Sequence, residues 1–310
     1  MRSKRLSISA LLVALLVSAV AHGASPGTAG YQFLRTHVGA RPSAMGGTFV
    51  AVPGDVHCLF YNPAGLAEIS SRSATLTYLK HVLDFHSGFV AYAQPVAART
   101  VGAVGVNYIN YGTFKRRDEL GQEQGEFGAG GLSLAAAAAY KVLPTLLLGA
   151  GVKLVYASID HYRSSALVAD AGVLYHTPVH DLDVAAGVAN VGAVLSPFAE
   201  EKDRLPVAYR LGLMKRLEHL PLLLGVTTYK YPDDVWQWTI GGEFTVGEGF
   251  FLRWGYDSIG SDMDVGSNKD YLAGISLGFG ITWRSYRFDY SFSSMGEVGS
   301  QNRFTFSGAF

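Results

Sequence analysis

The sequence is poor in charge and in cysteine. Charged residues make up 16% of the 310 residues, against a usual quarter, and Lys+Arg and Asp+Glu number 25 each. Because there is no basic excess to hold a phosphate backbone, we expect no nucleic acid partner. Cys58 is the only cysteine, which excludes an intramolecular disulfide framework.

Long apolar runs are confined to the N-terminus. Residues 1–24 combine a basic start from Arg2 to Arg5, an apolar stretch from Leu6 to about Ala21, and small residues for cleavage. This pattern predicts a cleaved export signal. An uncleaved anchor is the alternative, but the stretch is shorter than the ~20 apolar residues of a spanning helix.

Glycine and aromatic residues are plentiful, and apolar residues alternate with polar ones from about residue 73 onward. In 236–246, for example, Trp236, Trp238 and Phe244 share one face, whereas Gln237 and Glu243 share the other. The alternation indicates β-strands with one face in an apolar medium or core. By itself it fits both a soluble sandwich and a membrane barrel.

The connections favour the barrel. We predict about 14 strands, with short links at one end and long polar links at the other, because consecutive hairpins of an outer-membrane barrel close on opposite sides of the bilayer. The strands are expected near residues 73–81, 85–95, 100–111, 126–142, 145–158, 165–177, 181–191, 205–216, 220–229, 236–246, 250–257, 269–279, 281–292 and 303–310. The scheme places a short turn at Phe279-Gly280 and a solvated external loop over 112–128.

The C-terminal sequence RFTFSGAF places Phe304, Phe306 and Phe310 on one face of the last strand. It resembles the signature that the barrel assembly machinery recognises in outer-membrane proteins. We therefore expect an all-β transmembrane antiparallel barrel over 71–310, in the outer membrane of a Gram-negative-type bacterium and in contact with its lipid.

No arrangement of residues predicts an enzyme. The nine histidines are scattered, and only His176 and His180 flank one predicted turn. The pairs Asp84-His86 and Asp233-Asp234 lack an orienting partner, and catalytic motifs such as Gly-x-Ser-x-Gly are missing. We expect no catalytic residue, metal or cofactor, and rank a barrel-embedded hydrolase as the least favoured alternative.

Several charged residues fall on the face opposite the apolar one. In lipid each would cost a few kcal/mol at mid-depth, so we expect them inside the barrel. There, charges of both signs are expected to pair and to hold a plug or narrow the pore. The predicted lumen-facing residues are Lys153, Arg210, Glu243, Arg253, Arg287, Asp289 and Arg303.

Residues 25–70 do not alternate, and we expect them to fold inward as a hatch. Gly46-Gly47 allows close backbone approach, and Asn62-Pro63 predicts a short helix with Asn62 as its N-cap. We expect this segment to be held by buried hydrogen bonds and Cys58 to pack in it as a small apolar residue. The candidate hatch and gating residues are Met45, Gly46, Gly47, Asp55, Asn62, Pro63, Ala64 and Gly65.

This stretch resembles the PorV/PorQ-type proteins of the FadL-like outer-membrane transport superfamily. The resemblance rests on Arg41, residues 44–47 (AMGG), 49–52 (FVAV), Asp55 and 61–66 (YNPAGL). It implies a 14-stranded barrel with a lumenal N-terminal hatch. The sequence departs from the family pattern at Gly54, where a second acidic residue is common, and at residues 56–58.

Two functions are implied by the resemblance. The first is passive transport of a hydrophobic small-molecule ligand, such as a fatty acid or hydrocarbon, gated by the hatch. The second is a PorV-like accessory of protein secretion and surface attachment, with secreted protein cargo as its partner and no small-molecule transport. Both require the same barrel, so the sequence alone leaves them open.

Overall fold

The computed structural model of the protein describes residues 30–81, 85–179, 181–200, 203–232, 236–259 and 270–310. The predicted export signal, and the candidate residues Asp84, His180, Asp233 and Asp234, lie outside the described residues. The described residues form 14 strands: β1 (Ser73–Lys80), β2 (His86–Ala97), β3 (Thr100–Arg117), β4 (Glu123–Leu143), β5 (Leu146–Ile159), β6 (Tyr162–His176), β7 (Leu182–Ser196), β8 (Ala208–Arg216), β9 (Leu222–Lys230), β10 (Trp236–Val246), β11 (Phe250–Asp257), β12 (Ile275–Trp283), β13 (Tyr286–Ser294) and β14 (Ser300–Ala309).

The strands form one closed antiparallel barrel, which confirms the predicted fold class. Each strand pairs with its neighbours in sequence, and β14 pairs with β1 from Ala309 opposite Ser73 to Asn302 opposite Lys80. Closure leaves no free edge at the seam between the first and last strands. A bilayer imposes this condition on any spanning β-structure.

Connections at one rim of the barrel are short and most of those at the other rim are longer, as the sequence predicts. The exception is the link between β5 and β6: a long polar loop was expected between residues 158 and 165, but a tight turn at Asp160 and His161 joins the two strands.

The predicted turn at Phe279-Gly280 is wrong: both residues lie in β12, and the chain reverses at Arg284 and Ser285. A Cβ at Gly280 would lie 2.9 Å from Nη1 of the buried Arg253. The glycine is therefore needed to accommodate this guanidinium and does not mark a turn.

The expected external loop over 112–128 is mostly strand, because β3 and β4 continue as a hairpin. Lys115 pairs with Glu126 and Arg117 with Glu123 across the ladder. The side chains of Lys115 and Glu123 also form an exposed ion pair at 2.8 Å. Opposite charges across the strands support pairing beyond the membrane, in a stretch whose polarity alone indicated a loop.

The outer face of the barrel is apolar, with aromatic side chains near both rims. In β5, Val152 and Leu154 are exposed while Lys153 between them is buried. Trp236 near one rim and Trp283 near the other are about two-thirds exposed, at 60% and 67%. A closed barrel with such a band is the form in which β-structure spans bacterial outer membranes, and the fold places the chain there.

Residues 30–72, which we call the inner segment, lie inside the barrel. They form a 3₁₀ helix (Gln32–Arg35), α1 (Ala40–Ala44), α2 (Cys58–Tyr61) and a second 3₁₀ helix (Pro63–Glu68). The helix predicted to begin after Asn62 is the second 3₁₀ helix, whereas α1 and α2 were not predicted. No described helix is long and apolar enough to cross a membrane.

Candidate functional site

The inner segment crosses the bore from rim to rim. At its start, the Gly30 N–H donates to the Arg204 carbonyl in the β7–β8 connection at 2.9 Å. At its end, the Arg72 carbonyl accepts from the Phe310 N–H at 2.8 Å, on the short-turn rim. The segment therefore fills space through which a solute would have to pass.

The backbone after α1 lies directly against the barrel wall. Gly46 and Gly47 have φ values of 63° and 82°, the left-handed region that favours glycine. The facing positions on the barrel wall are also glycines. A Cβ at Gly241 of β10 or Gly255 of β11 would collide with the backbone of Met45. The contact leaves no room for a side chain on the wall.

Arg41 of α1 joins the inner segment to the wall through charge. Its Nε and Nη2 donate to the two carboxylate oxygens of Glu243 on β10, at 2.8 and 2.6 Å. Its Nη1 donates to Asp55, farther along the inner segment, at 2.9 Å. One guanidinium therefore ties two parts of the segment to a strand.

The network continues along the wall. Arg253 Nε donates to Glu243 at 2.6 Å, and its Nη1 lies 2.9 Å from Asp289, an ion pair without hydrogen-bond geometry. Arg287 donates to Asp289 at 2.8 Å and to Glu243 at 3.3 Å. With Arg41 and Asp55 these make three guanidinium and three carboxylate groups, so the charges of this cluster balance.

His57 completes the network from the segment side. It is 2% exposed, and its Nδ1 lies 2.7 Å from the Asp55 carboxylate. Burial by itself raises the pKa of Asp55, but His57 and Arg41 outweigh it and hold that pKa well below its usual range. Burial lowers the pKa of Arg41, yet Glu243 and Asp55 raise it above its ordinary value. Asp55 therefore acts as a fixed anion.

Asn62 fastens the other side of the inner segment. Its Oδ1 accepts from the Ala64 N–H at 3.1 Å, which is the N-cap, while its Nδ2 donates to the carbonyls of Val50 and of Val173 on β6, at 2.9 and 3.2 Å. Gly172 leaves room for this amide, because a Cβ there would collide with Oδ1. One side chain thus caps a helix and binds the wall.

The remaining candidate hatch residues pack around this cap. A Cβ at Gly149 of β5 would collide with the backbone of Pro63 and Ala64. The Gly65 carbonyl accepts from the Gly54 N–H at 2.8 Å. Cys58 is fully buried, donates its thiol to the Val52 carbonyl at 3.1 Å, and has its pKa raised by burial.

Two further lumenal cations serve the segment and the wall. Arg210 of β8 donates through Nη1 to the Phe60 and Tyr61 carbonyls at 2.6 and 2.8 Å, which satisfies the end of α2. Lys153 pairs with Asp170 at 2.5 Å and donates to Asn190 at 3.1 Å.

Sequence reasoning named the lumenal cations but missed several partners. His57, Asp170 and Asn190 were not singled out. Alternation along β6 would have placed Asp170 on the inward row. His57 was noted only within the departure from the family pattern at residues 56–58, which gave it no role.

A cavity of about 280 Å³ lies between the start of the inner segment and β11–β14. Arg303 of β14 lines it and is 2% exposed. A smaller cavity of about 50 Å³ lies beside Arg210 and Tyr229. All seven charged residues expected in the lumen therefore lie inside the barrel, six of them buried and Arg287 partly exposed.

Of the residues weighed for catalysis or metal binding, His86 and His176 lie within the described ranges. His86 is bonded to Tyr78 at an exposed contact of 2.9 Å, and His176 pairs with Asp183 at 2.6 Å. Within the described ranges, no group of three His, Cys, Asp or Glu side chains could hold a metal. The predicted assembly residues Phe304, Phe306 and Phe310 are exposed on or just beyond β14.

No family model and no curated protein matches this sequence. Solved structures match the fold. The toluene transporter TbuX of Ralstonia pickettii has a TM-score of 0.61 at 15% identity, over 88% of this chain and 98% of its own. A FadL homologue of Pseudomonas aeruginosa gives 0.57 at 12%, over 88% and 98%, and the toluene transporter TodX of Pseudomonas putida 0.57 at 14%, over 87% and 96%. This chain has the 14-stranded barrel fold of the FadL-like outer-membrane proteins.

Proposed function

We propose that the protein is an outer-membrane channel for passive movement of small hydrophobic molecules, with the inner segment as its hatch. The observation that carries the proposal is the polar attachment of a segment that fills the bore. TbuX and TodX, which share the fold, are named as toluene transporters. On this proposal the protein is a channel and not an enzyme.

The two sides of the inner segment are held differently, which suggests how it moves. The α1 side packs on β11–β14 and is tied through Arg41, whereas the Pro63–Glu68 helix packs on β3–β6 around Asn62. The contacts of the α1 side include ion pairs that acid weakens through Asp55, whereas those of Asn62 are hydrogen bonds between neutral groups. We expect residues 40–52, which include α1, to move away from the wall while the Pro63–Glu68 helix stays in place.

Uptake of radiolabelled toluene tests the proposal. Intact cells of a host with a lipopolysaccharide outer leaflet should take up toluene faster when they carry the protein. A hydrophilic sugar of similar size serves as the control for a nonspecific pore. Equal initial rates for toluene with and without the protein would reject transport.

The protruding β3–β4 hairpin favours a second candidate function. The ladders to β2 and β5 end at Asn110 and Ala129, yet β3 and β4 remain paired as far as Arg117 and Glu123. We propose this hairpin as the surface of a PorV-like secretion accessory, in line with the resemblance of residues 41–66. Exported proteins should then co-purify with the full chain and not with a variant lacking 113–126; co-purification that is unchanged by the deletion argues against it.

A further inference from the structure

Unlike Arg41, Arg253 and Arg287, the buried Arg303 has no carboxylate partner among the described residues. It donates only to neutral groups, to Ser293 Oγ at 3.3 Å and to Gln301 Oε1 at 2.5 Å. Its Nε is buried without a hydrogen-bond partner. No carboxylate of the described chain lies within 4 Å of its guanidinium, whereas Arg253 lies between Glu243 and Asp289.

An isolated buried charge is costly, so its persistence calls for an explanation. The neighbouring charges do not supply a counterion. Asp257 also lines the cavity beside Arg303, but its carboxylate pairs with His37 at 3.0 Å and not with Arg303. Arg35 also lines the cavity, with its guanidinium stacked 3.9 Å from the Tyr231 ring centroid. Among the described residues around the cavity, no carboxylate therefore remains for Arg303.

The space beside Arg303 suits a compact ligand. The cavity of about 280 Å³ is close to the lower end of small-molecule pockets, ~300–1,000 Å³. Hydroxyl and amide groups of Ser276, Ser293 and Gln301 line it near the guanidinium, while Ile259 and Met295 give apolar surface. On its other side Arg303 borders a narrow apolar crevice that Val38 and Gly39 of the inner segment close.

We propose that Arg303 binds the carboxylate of a small aromatic acid whose ring occupies the 280 Å³ cavity. The inference rests on the proposed channel function and names its ligand class: an amphipathic anion in place of the neutral hydrocarbon that the fold relatives' names suggest. The guanidinium offers a planar carboxylate two donors, as in other arginine sites. Displacement of the hatch would widen the crevice beyond it.

Calorimetric titration of the full-length protein in detergent tests the site. The ligands are benzoate and its neutral analogue benzyl alcohol. Arg303→Gln should weaken benzoate binding at least about tenfold, the loss expected of a charge-assisted hydrogen bond, and change benzyl alcohol binding less than about twofold. Arg303→Lys should retain part of the benzoate affinity. Arg163→Gln, which removes an exposed arginine of β6, is the matched control and should behave as the wild type.

Crystals of the wild type soaked with 4-bromobenzoate or 4-bromotoluene keep the inference testable if the Arg303 variants do not fold. Anomalous bromine density for the acid alone, with its carboxylate on Arg303, supports it. Benzoate affinity unchanged by Arg303→Gln, or both bromine compounds at one position away from Arg303, would overturn it.

The outcomes separate this inference from the channel proposal. Toluene uptake together with equal binding of benzoate and benzyl alcohol rejects only the acid site. Benzoate bound at Arg303, with no probe taken up by cells, supports the site and rejects the channel.

Discussion

Arg41 of the inner segment and Glu243 of β10 form a two-point ion pair, with Nε 2.8 Å from Oε2 and Nη2 2.6 Å from Oε1. Paired, parallel contacts of this kind fix orientation as well as distance. Because the same guanidinium also binds Asp55, this pair governs how the α1 side of the segment sits against the wall.

Replacing Arg41 should loosen that side. In Arg41→Gln, Asp55 and Glu243 lose a mostly buried partner, and the loss should approach the ~3–5 kcal/mol of breaking a fully buried pair. We expect a higher leak current in planar bilayers and unfolding at a lower concentration of guanidinium chloride. Lys141→Gln is the control, because its ion pair with Glu68 is partly exposed and worth about 0–1 kcal/mol. A variant as closed as the wild type would remove Arg41 from the account.

Acid should have a similar effect through Asp55. Its folded pKa lies well below the ordinary 3.8, held there by His57, Arg41 and Arg287. The stabilisation is therefore complete above about pH 4 and is lost as the pH falls through the lower folded value. Leak current should rise on acidification below pH 4, and Asp55→Asn should leak at pH 7 with a weaker response to acid. An identical pH response in both proteins contradicts the assignment.

Asn62→Ala should cost more than the ~1 kcal/mol of a lost N-cap. The structure adds two donated hydrogen bonds, to the Val50 and Val173 carbonyls, and the loss of each costs a further ~0.5–1.5 kcal/mol. Amide exchange at Ala64 and at residues 50–52 should accelerate while the barrel strands stay protected. Asn62→Asp, which keeps the cap, should protect Ala64 better than Asn62→Ala; equal exchange in the two would show that the cap contributes nothing.

Gly241→Ala should block seating of the segment, because its Cβ would collide with the Met45 carbonyl. Overpacking of this kind costs ~1–3 kcal/mol, and the barrel wall has no room to yield. We expect reduced folding yield, measured as heat-modifiable migration on gels. Gly102→Ala is the matched control, since its nearest contact is Val96 Cγ1 at 3.4 Å. Equal yields would show that the segment tolerates displacement there.

The fold was predictable in large part because a barrel repeats one rule. Alternation gave the inward and outward rows, as for Trp236 and Gln237, and the alternation of link lengths gave the topology. The failures occurred where local composition indicated the opposite of the actual structure. Gly280 lies in a strand beside a buried guanidinium, and Lys115 lies in a strand outside the membrane.

The site was predictable in its members but not in its pairings. Alternation directs Glu243, Arg253 and Asp289 inward, yet it does not give their heights in the bore, which follow from the register of four strands. The irregular inner segment has no periodicity to exploit. Consequently the contacts of Arg41 and His57 could be identified only from the three-dimensional structure.

The central claim is that the inner segment must move for a ligand to pass. A Cβ at Gly212 of β8 would lie 3.3 Å from Ala51 Cβ, close to the ~3.5–4.5 Å of a disulfide. The most direct measurement is toluene uptake by cells carrying Ala51→Cys/Gly212→Cys in a Cys58→Ser background, compared before and after reduction. We predict that uptake by the double-cysteine variant is low when the disulfide is formed and is restored when it is reduced. The Cys58→Ser protein alone should be unaffected by either treatment. Equal uptake in the oxidised and reduced states, with the disulfide confirmed by mass spectrometry, would contradict the hatch.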